Sequence, residues 1–246
     1  MREAGLKTQL VITDDIGPGE AFKRCSYILA DPGARQYVGA LAYHLYSENA
    51  EDIRKMAALS QAYNIPLWMT EFSESRFTGP QGGLNWALTM HTRIVTGNVS
   101  AIDYMWAFFG EYSEKTWPGN TLIILKSDAN GLRYKGYKIN DMYNAMGQFS
   151  RYIKPGFIRV GAESSDAGVK VSAYKKNNEV ALVVINTTPS QKRLDLALLG
   201  GKIPILFYVW HLSGEQRGAQ AAPVKLSPSF EVTVPAQSVT TFVGIH

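Results

Sequence analysis

The sequence predicts a two-part chain, with an α/β portion over residues 1–156 and an all-β portion over residues 157–246. In the first portion, short apolar strands alternate four times with helices, which is typical of parallel βα units with right-handed crossovers. Eight such units close a (β/α)8 TIM-type barrel, so four correspond to half of one. In the second portion the helical period disappears, and roughly seven short strands separated by turn residues predict an antiparallel β-sandwich.

Composition and charge narrow the classes of function. The chain has 246 residues, of which 46% are hydrophobic, enough for one large domain or two modest ones. The formal net charge is +4, but the basic residues are scattered, so nucleic acid is not an expected partner. No apolar run approaches the roughly 18 residues of a membrane span, so no membrane partner is expected. Cys25 is the single cysteine, which excludes an intrachain disulfide.

The first βα unit begins with a predicted strand at Leu6–Thr13, which ends in Asp14 and Asp15. A helix is predicted over Ala21–Leu29, and Asp31-Pro32-Gly33 breaks it. The unit therefore delivers two consecutive carboxylates to the carboxyl end of its strand.

The second unit has a predicted strand at Val38–Tyr43, which runs into His44-Leu45-Tyr46-Ser47. Asn49 is a suitable N-cap for the helix that follows, and Asn64 is a suitable stop. Apolar and small residues recur between them at helical spacing: Ile53, Met56, Ala57, Ser60 and Tyr63.

The third predicted strand lies in the stretch Ile65–Glu74, and a helix is predicted over Leu84–Thr96. The fourth strand is predicted over Val99–Phe108. A long connection follows, with a hairpin expected near Asp128–Gly131. The last helix is predicted over Asn140–Lys154.

The all-β portion contains short strands with alternating polar and apolar residues, separated by turn residues such as Lys176-Asn177-Asn178 and Ser213-Gly214. The predicted strands are Phe157–Val160, Val169–Tyr174, Glu179–Asn186, Lys192–Leu196, Pro204–His211, Phe230–Val234 and Val239–Ile245.

The first candidate catalytic residue is a glutamate at the end of the third predicted strand. The run Trp68-Met69-Thr70 leads directly to Glu71, at the end of a parallel strand where active sites are built. The alternative is a surface glutamate just past a strand.

The run Trp68-Met69-Thr70-Glu71 resembles the strand of glycoside hydrolase family 30 that carries the catalytic nucleophile. The likeness covers nearly the whole chain. The other similar segments are Gly39–Tyr46, with the His-x-Tyr motif of the sixth barrel strand; Tyr104–Ala107, similar to the eighth strand; Met146–Arg159, similar to the last helix; and Pro235–Phe242, similar to the closing sandwich strand. The resemblance implies a (β/α)8 barrel joined to a β-sandwich, of which this chain has barrel strands five to eight.

The resemblance also implies an activity, retaining hydrolysis of β-glycosides of the glucan or xylan type. One family element is missing, because the chain contains no Asn-Glu-Pro segment to supply the acid/base carboxylate. We therefore expect a truncated enzyme of weak activity. The alternatives are a catalytically silent carbohydrate-binding or structural remnant, or a different hydrolytic activity such as esterase, although no Gly-x-Ser-x-Gly elbow is present.

By the same resemblance, Glu71 is the nucleophile. Tyr46 and His44, at the end of the adjacent strand, are the candidates for donating a hydrogen bond that keeps Glu71 ionised and orients it. Trp106 forms the floor of the sugar site. Arg76 is a candidate for binding an acidic sugar. The alternatives are a buried structural histidine for His44, plain core for Trp106 and a solvated arginine for Arg76.

A substitute for the missing acid/base is needed among the remaining carboxylates. Asp14, Asp15, Glu74 and Glu111 are the candidates, and the alternative for each is a solvated loop carboxylate. The four histidines are far apart in the sequence and lack ligand spacing, so neither a metal nor another cofactor is expected.

Half of a barrel leaves two open sheet edges and an apolar face, and exposed edges favour pairing with another chain. We therefore expect a homo-oligomer with a carbohydrate substrate. The alternative is a monomer in which the sandwich or the long loop covers the open side. The first residues lack the apolar core of a signal peptide, so a cytoplasmic protein is expected unless an upstream segment has been lost; family relatives are often secreted.

Overall fold

The computed structural model describes residues 4–47, 49–73, 81–116, 121–197, 199, 206–213, 216–225 and 229–245. The chain divides into two compact units. The first unit comprises Met1–Glu74 and Thr92–Ala107, and the second comprises Ser75–His91 and Phe108–His246. No helix among the described residues is long and apolar enough to cross a membrane.

The first unit is built on a four-stranded parallel sheet in the order β1-β2-β3-β4. Its elements are β1 (Leu10–Asp15), α1 (Pro18–Ala30), α2 (Pro32–Arg35), β2 (Val38–His44), α3 (Ala50–Tyr63), β3 (Leu67–Glu71) and β4 (Ala101–Ile102). Helix α4 (Gly82–Val95) spans the boundary of the two units. The parallel pairing predicted from the strand–helix alternation is therefore present.

Helix α3 begins and ends where the sequence predicts. The Asn49 side chain accepts hydrogen bonds from the N–H groups of Glu51 and Asp52, which satisfies two donors of the first turn. Asn64 closes the helix in the left-handed conformation, with φ of 51°. Met56 on α3 and Leu67 on β3 are fully buried, so burial of the apolar face of this helix stabilises the strand that carries Glu71.

Two strand predictions for this unit are wrong in extent. Strand β1 begins at Leu10 rather than Leu6 because its ladder with β2 starts at Val38. The predicted strand Val99–Phe108 is reduced to β4, the two residues Ala101–Ile102. Beyond β4 the backbone still follows β3, but through single hydrogen bonds, as from the N–H of Asp103 to the carbonyl of Met69, so no regular ladder forms.

The long connection of the sequence prediction forms a small sheet in the second unit. Strands β5 (Phe108–Gly110) and β6 (Ile123–Ser127) pair in parallel, and β6 pairs with β7 (Tyr134–Ile139) in an antiparallel hairpin. The turn predicted near Asp128–Gly131 is present, because the Gly131 N–H donates to the Asp128 carbonyl. Helix α5 (Glu111–Thr116) lies between β5 and β6 in the chain.

Helix α6 (Asp141–Ser150) is shorter than its prediction, and two antiparallel sheets follow it. The larger sheet has the order β13-β12-β15-β10-β9-β8, and β11 pairs with β14. The strands are β8 (Ile158–Val160), β9 (Val169–Lys176), β10 (Glu179–Asn186), β11 (Lys192–Ala197), β12 (Leu206–Ser213), β13 (Gln216–Lys225), β14 (Ser229–Val234) and β15 (Ser238–Ile245).

Side chains from both sheets form one buried core, including Leu182 and Val184 of β10, Phe242 of β15 and Val232 and Val234 of β14. This arrangement agrees with the predicted sandwich. The sequence prediction missed β13, because its run of Gly, Ala, Gln and Pro has low strand propensity. An edge strand tolerates such residues, since one side of its backbone needs no partner in the sheet.

A buried histidine on α4 predicts loss of stability at low pH. His91 is only 9% exposed, and its Nδ1 atom has no hydrogen-bond partner among the residues that the structure describes. Burial, with smaller contributions from the charges of Lys170 and Arg159, lowers its pKa from 6.5 to about 4. Between these two values the unfolded chain binds a proton that the folded chain does not. We therefore expect stability to fall by up to about 3 kcal/mol as the pH drops from 6.5 through 4.

Urea unfolding at pH 7 and pH 4 measures this loss, and His91→Gln is the matched variant without a titrating ring. The variant is expected to show a smaller difference between the two pH values, because the contribution of His91 is then removed while that of the other titrating groups remains. An unchanged difference would contradict the assignment to His91.

Candidate functional site

Three polar side chains meet at the carboxyl ends of β1, β2 and β3. Strand β2 places His44 directly opposite Glu71 of β3, and Asp14 comes from the end of β1. The His44 Nε2 atom lies 3.3 Å from Asp14 Oδ1 and 3.6 Å from Glu71 Oε2. The imidazole therefore bridges two carboxylates at the edge of the sheet where the sequence predicted chemistry.

Exposure increases across this trio. The His44 side chain is 17% exposed, that of Glu71 is 29% exposed and that of Asp14 is 54% exposed. The Thr70 hydroxyl donates a hydrogen bond to Asp14 Oδ1, so that carboxylate has one partner on β2 and one on β3. Glu71 is thus accessible to a ligand yet partly shielded, which strengthens its interaction with any nearby charge.

A β-bulge separates the roles of the two consecutive aspartates. The β1–β2 register pairs Thr13 with Ala42 and Asp15 with Tyr43, so Asp14 is the extra residue, and its φ is 60°. Bulges of this kind redirect side chains beside functional sites. Here the bulge leaves Asp14 in contact with His44.

Asp15 contacts side chains other than His44 and Glu71. Its carboxylate is buried, pairs with the Arg24 guanidinium of α1 and accepts a hydrogen bond from the Thr13 hydroxyl. The structure therefore brings Asp14, and not Asp15, to His44 and Glu71.

Tyr46 lies beside this trio. Its hydroxyl is 3.2 Å from Met105 Sδ and 3.4 Å from Ser73 Oγ. Burial raises the pKa of Tyr46 above its usual value; the hydrogen bond with Ser73 opposes this, and the hydrogen bond and charge of Glu71 raise the pKa further. The hydroxyl therefore keeps its proton at neutral pH and is available as a donor to Glu71.

Aromatic rings continue the site beyond the carboxylates. Tyr46 stacks on Phe72 at a centroid distance of 6.3 Å, and Phe72 meets Tyr104 edge to face at 6.4 Å. Trp106 follows on the same segment and is exposed. An accessible indole is suited to stacking on a sugar ring.

Three predicted site residues remain: Glu111, Glu74 and Arg76. Glu111 belongs to the second unit, where it accepts a hydrogen bond of 3.2 Å from the Ser127 N–H. Glu74 and Arg76 lie outside the described residues. Within the part of the chain that the structure describes, no group of three or more His, Cys, Asp or Glu side chains could hold a metal ion.

Sequence reasoning missed three members of the site: Thr70, Ser73 and Met105. Thr70 and Ser73 flank Glu71 in the chain, so their position was the available signal. Met105 contacts Tyr46 from 59 residues away, and nothing local in the sequence marks such a contact.

Two protein-family models match the chain. Residues 21–129 match a model described as "Glycosyl hydrolase catalytic core". Residues 156–242 match a model described as "Glycosyl hydrolase family 30 beta sandwich domain". Between them, the models account for most of both compact units.

Relatives and solved structures agree with these matches. The glucuronoxylanase XynC of Bacillus subtilis (strain 168) is 28% identical over 232 residues, which are 88% of this chain and 48% of that protein. The chain thus spans about half the length of the curated relatives it matches.

Among solved structures, the glycoside hydrolase family 30 subfamily 8 xylanase Xyn30A from Clostridium acetobutylicum has a TM-score of 0.78 at 26% identity, with 97% of this chain and 56% of that chain covered. A GH30 endoxylanase from Clostridium papyrosolvens C71 shares the fold, with a TM-score of 0.79 at 24% identity over 99% of this chain and 57% of that chain. The chain thus matches a glycosyl hydrolase catalytic core over residues 21–129 and the family 30 sandwich domain over residues 156–242, and it is similar over nearly its whole length to solved structures of glycoside hydrolase family 30.

Proposed function

We propose that the chain is a retaining β-glycoside hydrolase in which Glu71 is the nucleophile. The observation that carries this proposal is the trio of Asp14, His44 and Glu71 at the carboxyl edge of the parallel sheet. Retaining glycosidases use one ionised carboxylate to attack the anomeric carbon and a second carboxyl group to handle the proton. Tyr46 and His44 orient the attacking carboxylate.

The proposed substrate is a β-linked glycan of the xylan or glucan type. The curated relative is named as a glucuronoxylanase, and two of the similar structures are named as xylanases. Trp106 is exposed, so its ring is available for stacking on a sugar. Arg76 remains a candidate for an acidic substituent.

Asp14 is the proposed substitute for the second carboxyl group. Because Asp14 Oδ1 and Glu71 Oε2 both contact His44 Nε2, these two oxygens are at most about 7 Å apart, which is compatible with the roughly 5–5.5 Å between carboxyl groups in retaining enzymes. We propose that the four parallel strands are half of a (β/α)8 barrel and that activity is weak without the acid/base half. Asp15 is less suitable because Arg24 already pairs with it.

The experiment compares aryl and alkyl β-xylosides and β-glucosides, with the anomeric form of the product followed by NMR. Aryl glycosides with a good leaving group need little protonation, so we expect turnover of these substrates with retention of the β-anomer. Alkyl glycosides depend on proton donation by the substitute acid, and they are therefore expected to react more slowly than aryl glycosides. Inversion of configuration would reject the proposal.

A silent carbohydrate-binding remnant is the second candidate, favoured by the exposed Trp106 ring and by the exposure of Asp14. Binding of oligosaccharides without turnover of any aryl glycoside would support it. Turnover of aryl esters but not of glycosides would point to a different hydrolase.

We further propose that the open edge of β1 drives assembly into a homo-oligomer. Among the described strands, β1 pairs only with β2, and its Leu10 and Val11 side chains are exposed. Burying several hundred Å² of such surface, at about 25 cal/mol per Å², favours association by several kcal/mol before association costs. Because charged side chains on an edge strand oppose such pairing, a lysine introduced into β1 should weaken the association.

Sedimentation equilibrium at low micromolar concentration measures this association. We expect a mass of at least twice 27.2 kDa for the chain, and a shift toward the monomer for Val11→Lys. The matched control is Tyr27→Lys, a change at another exposed apolar position of the same unit, which should keep the larger mass. A single species of 27.2 kDa for the unchanged chain would reject the proposal.

A further inference from the structure

Met105 is the accessible methionine of the candidate site. The residue is 41% exposed, and its N–H donates a hydrogen bond of 3.0 Å to the Phe72 carbonyl, just beyond the end of β3. Elsewhere in the described part of the chain the methionines are less accessible: Met56, Met69, Met90 and Met142 are at most 2% exposed, and Met146 is half-buried. An oxidant in solution therefore reaches Met105 more easily than the buried methionines.

Two hydroxyl groups face the sulfur of Met105. The Tyr46 hydroxyl lies 3.2 Å from Met105 Sδ, and the Ser73 hydroxyl lies 3.9 Å from it, so Tyr46 is the nearer donor. A thioether sulfur is only a weak hydrogen-bond acceptor, and a phenol has a single hydrogen to donate. In the unmodified chain Glu71 therefore competes well for the hydrogen of Tyr46, with which it forms a hydrogen bond.

Oxidation of the sulfur would change this competition. When hydrogen peroxide reacts with Met105, a sulfur lone pair forms a bond to one peroxide oxygen and the O–O bond breaks. The departing hydroxide takes the proton of the transferred oxygen and leaves as water, so the sulfur is oxidised and the peroxide is reduced. The product is a sulfoxide, which is polar where the thioether was apolar. Its oxygen is a strong acceptor beside the hydroxyls that already face the sulfur.

We propose that Met105 is a site of reversible oxidation by peroxides, and that its sulfoxide oxygen accepts the hydrogen bond of Tyr46 in place of Glu71. Glu71 then loses the tyrosine donor and keeps its contact with His44 Nε2 at 3.6 Å. Enzymatic reduction of the sulfoxide restores the thioether and the original arrangement. Only the effect on turnover rests on the proposed function, since the oxidation and the change of hydrogen bond do not require Glu71 to be a nucleophile.

Peptide mass mapping during exposure to millimolar hydrogen peroxide measures the selectivity. We expect Met105 to gain an oxygen atom at least about tenfold faster than the buried methionines, since susceptibility follows exposure. The comparison residues are Met56, Met69, Met90 and Met142, which have the same chemistry but are buried. Oxidation of Met105 no faster than theirs would overturn the proposal.

NMR of the chain labelled at the glutamate Cδ carbons follows the hydrogen bond without any need for activity. The Glu71 signal is assigned with Glu71→Gln. We expect oxidation to shift this signal, because the carboxylate loses a donor, and to leave the signal of the exposed Glu51 on α3 in place.

Two variants test the route from Met105 to Glu71. Tyr46→Phe lacks the hydroxyl, and Met105→Leu has a similar volume but no sulfur, so oxidation should leave the Glu71 signal unchanged in both. Thermal unfolding checks that each variant folds. A Glu71 signal that stays in place in the oxidised parent, or that shifts equally in Tyr46→Phe, would overturn the proposal.

Turnover of an aryl β-glycoside measures the consequence for the proposed function. We expect the oxidised parent to be about tenfold slower than the untreated parent, since a hydrogen bond to a charged group is lost. Met105→Leu should have the same turnover before and after treatment. Undiminished turnover of the oxidised parent would overturn the link to catalysis. Absence of turnover before treatment would instead overturn the proposed function, and the peptide map and the Glu71 signal would still decide whether Met105 is the oxidation site.

Discussion

Glu71→Gln is expected to lower turnover of an aryl β-xyloside or β-glucoside by about a thousandfold or more, equivalent to about 4 kcal/mol of transition-state stabilisation. The amide has the shape of the carboxylate but cannot form the glycosyl–enzyme bond. His44 Nε2 would still lie beside the substituted side chain, since 3.6 Å separates it from Glu71 Oε2. Steady-state kinetics on the most reactive aryl glycoside give this ratio directly.

The controls separate chemistry from folding. Glu51→Gln makes the same chemical change at an exposed position on α3 and should keep wild-type turnover. A mechanism-based 2-deoxy-2-fluoro glycoside should add one sugar mass to the chain, with the modified peptide containing Glu71. Retention of wild-type turnover by Glu71→Gln would show that another group is the nucleophile.

Asp14 gives a second, smaller expectation at the same site. Asp14→Asn keeps the contact with Thr70 but removes the group proposed to transfer the proton. Alkyl glycosides should therefore lose more turnover than activated aryl glycosides. An equal loss for both classes would assign Asp14 to positioning His44 rather than to proton transfer.

The three residues of the trio could be predicted because the sequence pattern that marks each of them is local. Asp14, His44 and Glu71 each stand at the end of a short apolar run, and parallel strands bring such ends to one edge. The choice between Asp14 and Asp15 could not be predicted, because it depends on a bulge in the β1–β2 register. Such a bulge arises from the fit between two strands and leaves no mark on two consecutive aspartates.

The fold likewise has elements that could be predicted from the sequence and elements that could not. The helix α3 could be placed from Asn49 and Asn64, whose roles are set by neighbouring backbone groups. Strand β13 could not, because pairing with β12 stabilises a sequence of poor strand propensity. The sheet of β5, β6 and β7 was half predicted: the hairpin has a turn signal, but the parallel pairing of Phe108 with Ile123 is a contact across 15 residues.

Asn186 links the two sheets of the sandwich through a fully satisfied amide. Its side chain is completely buried, and its Nδ2 atom donates to the carbonyls of Ser190 and Pro235, each at 2.8 Å. Its Oδ1 atom accepts from the N–H and the hydroxyl of Thr188. Ser190 precedes β11 and Pro235 follows β14, and Lys192 pairs with Val234 there, so one side chain of β10 fixes one end of the smaller sheet.

Asn186→Asp is expected to destabilise the folded chain by about 3–5 kcal/mol at pH 7, although the two side chains have nearly the same shape. The introduced carboxylate has no protons for the Ser190 and Pro235 carbonyls, so two hydrogen bonds are lost and a buried negative charge faces two carbonyl oxygens. Protonation of the introduced group relieves the repulsion, so its folded-state pKa lies above the unfolded value. The penalty should therefore be smaller near pH 4 and grow as the pH rises. Urea unfolding of the variant and the parent at both pH values measures the difference, and Asn178→Asp, at an exposed turn position, should change stability by less than about 0.5 kcal/mol. A buried variant as stable as the exposed one would show that this amide does not hold the sheets together.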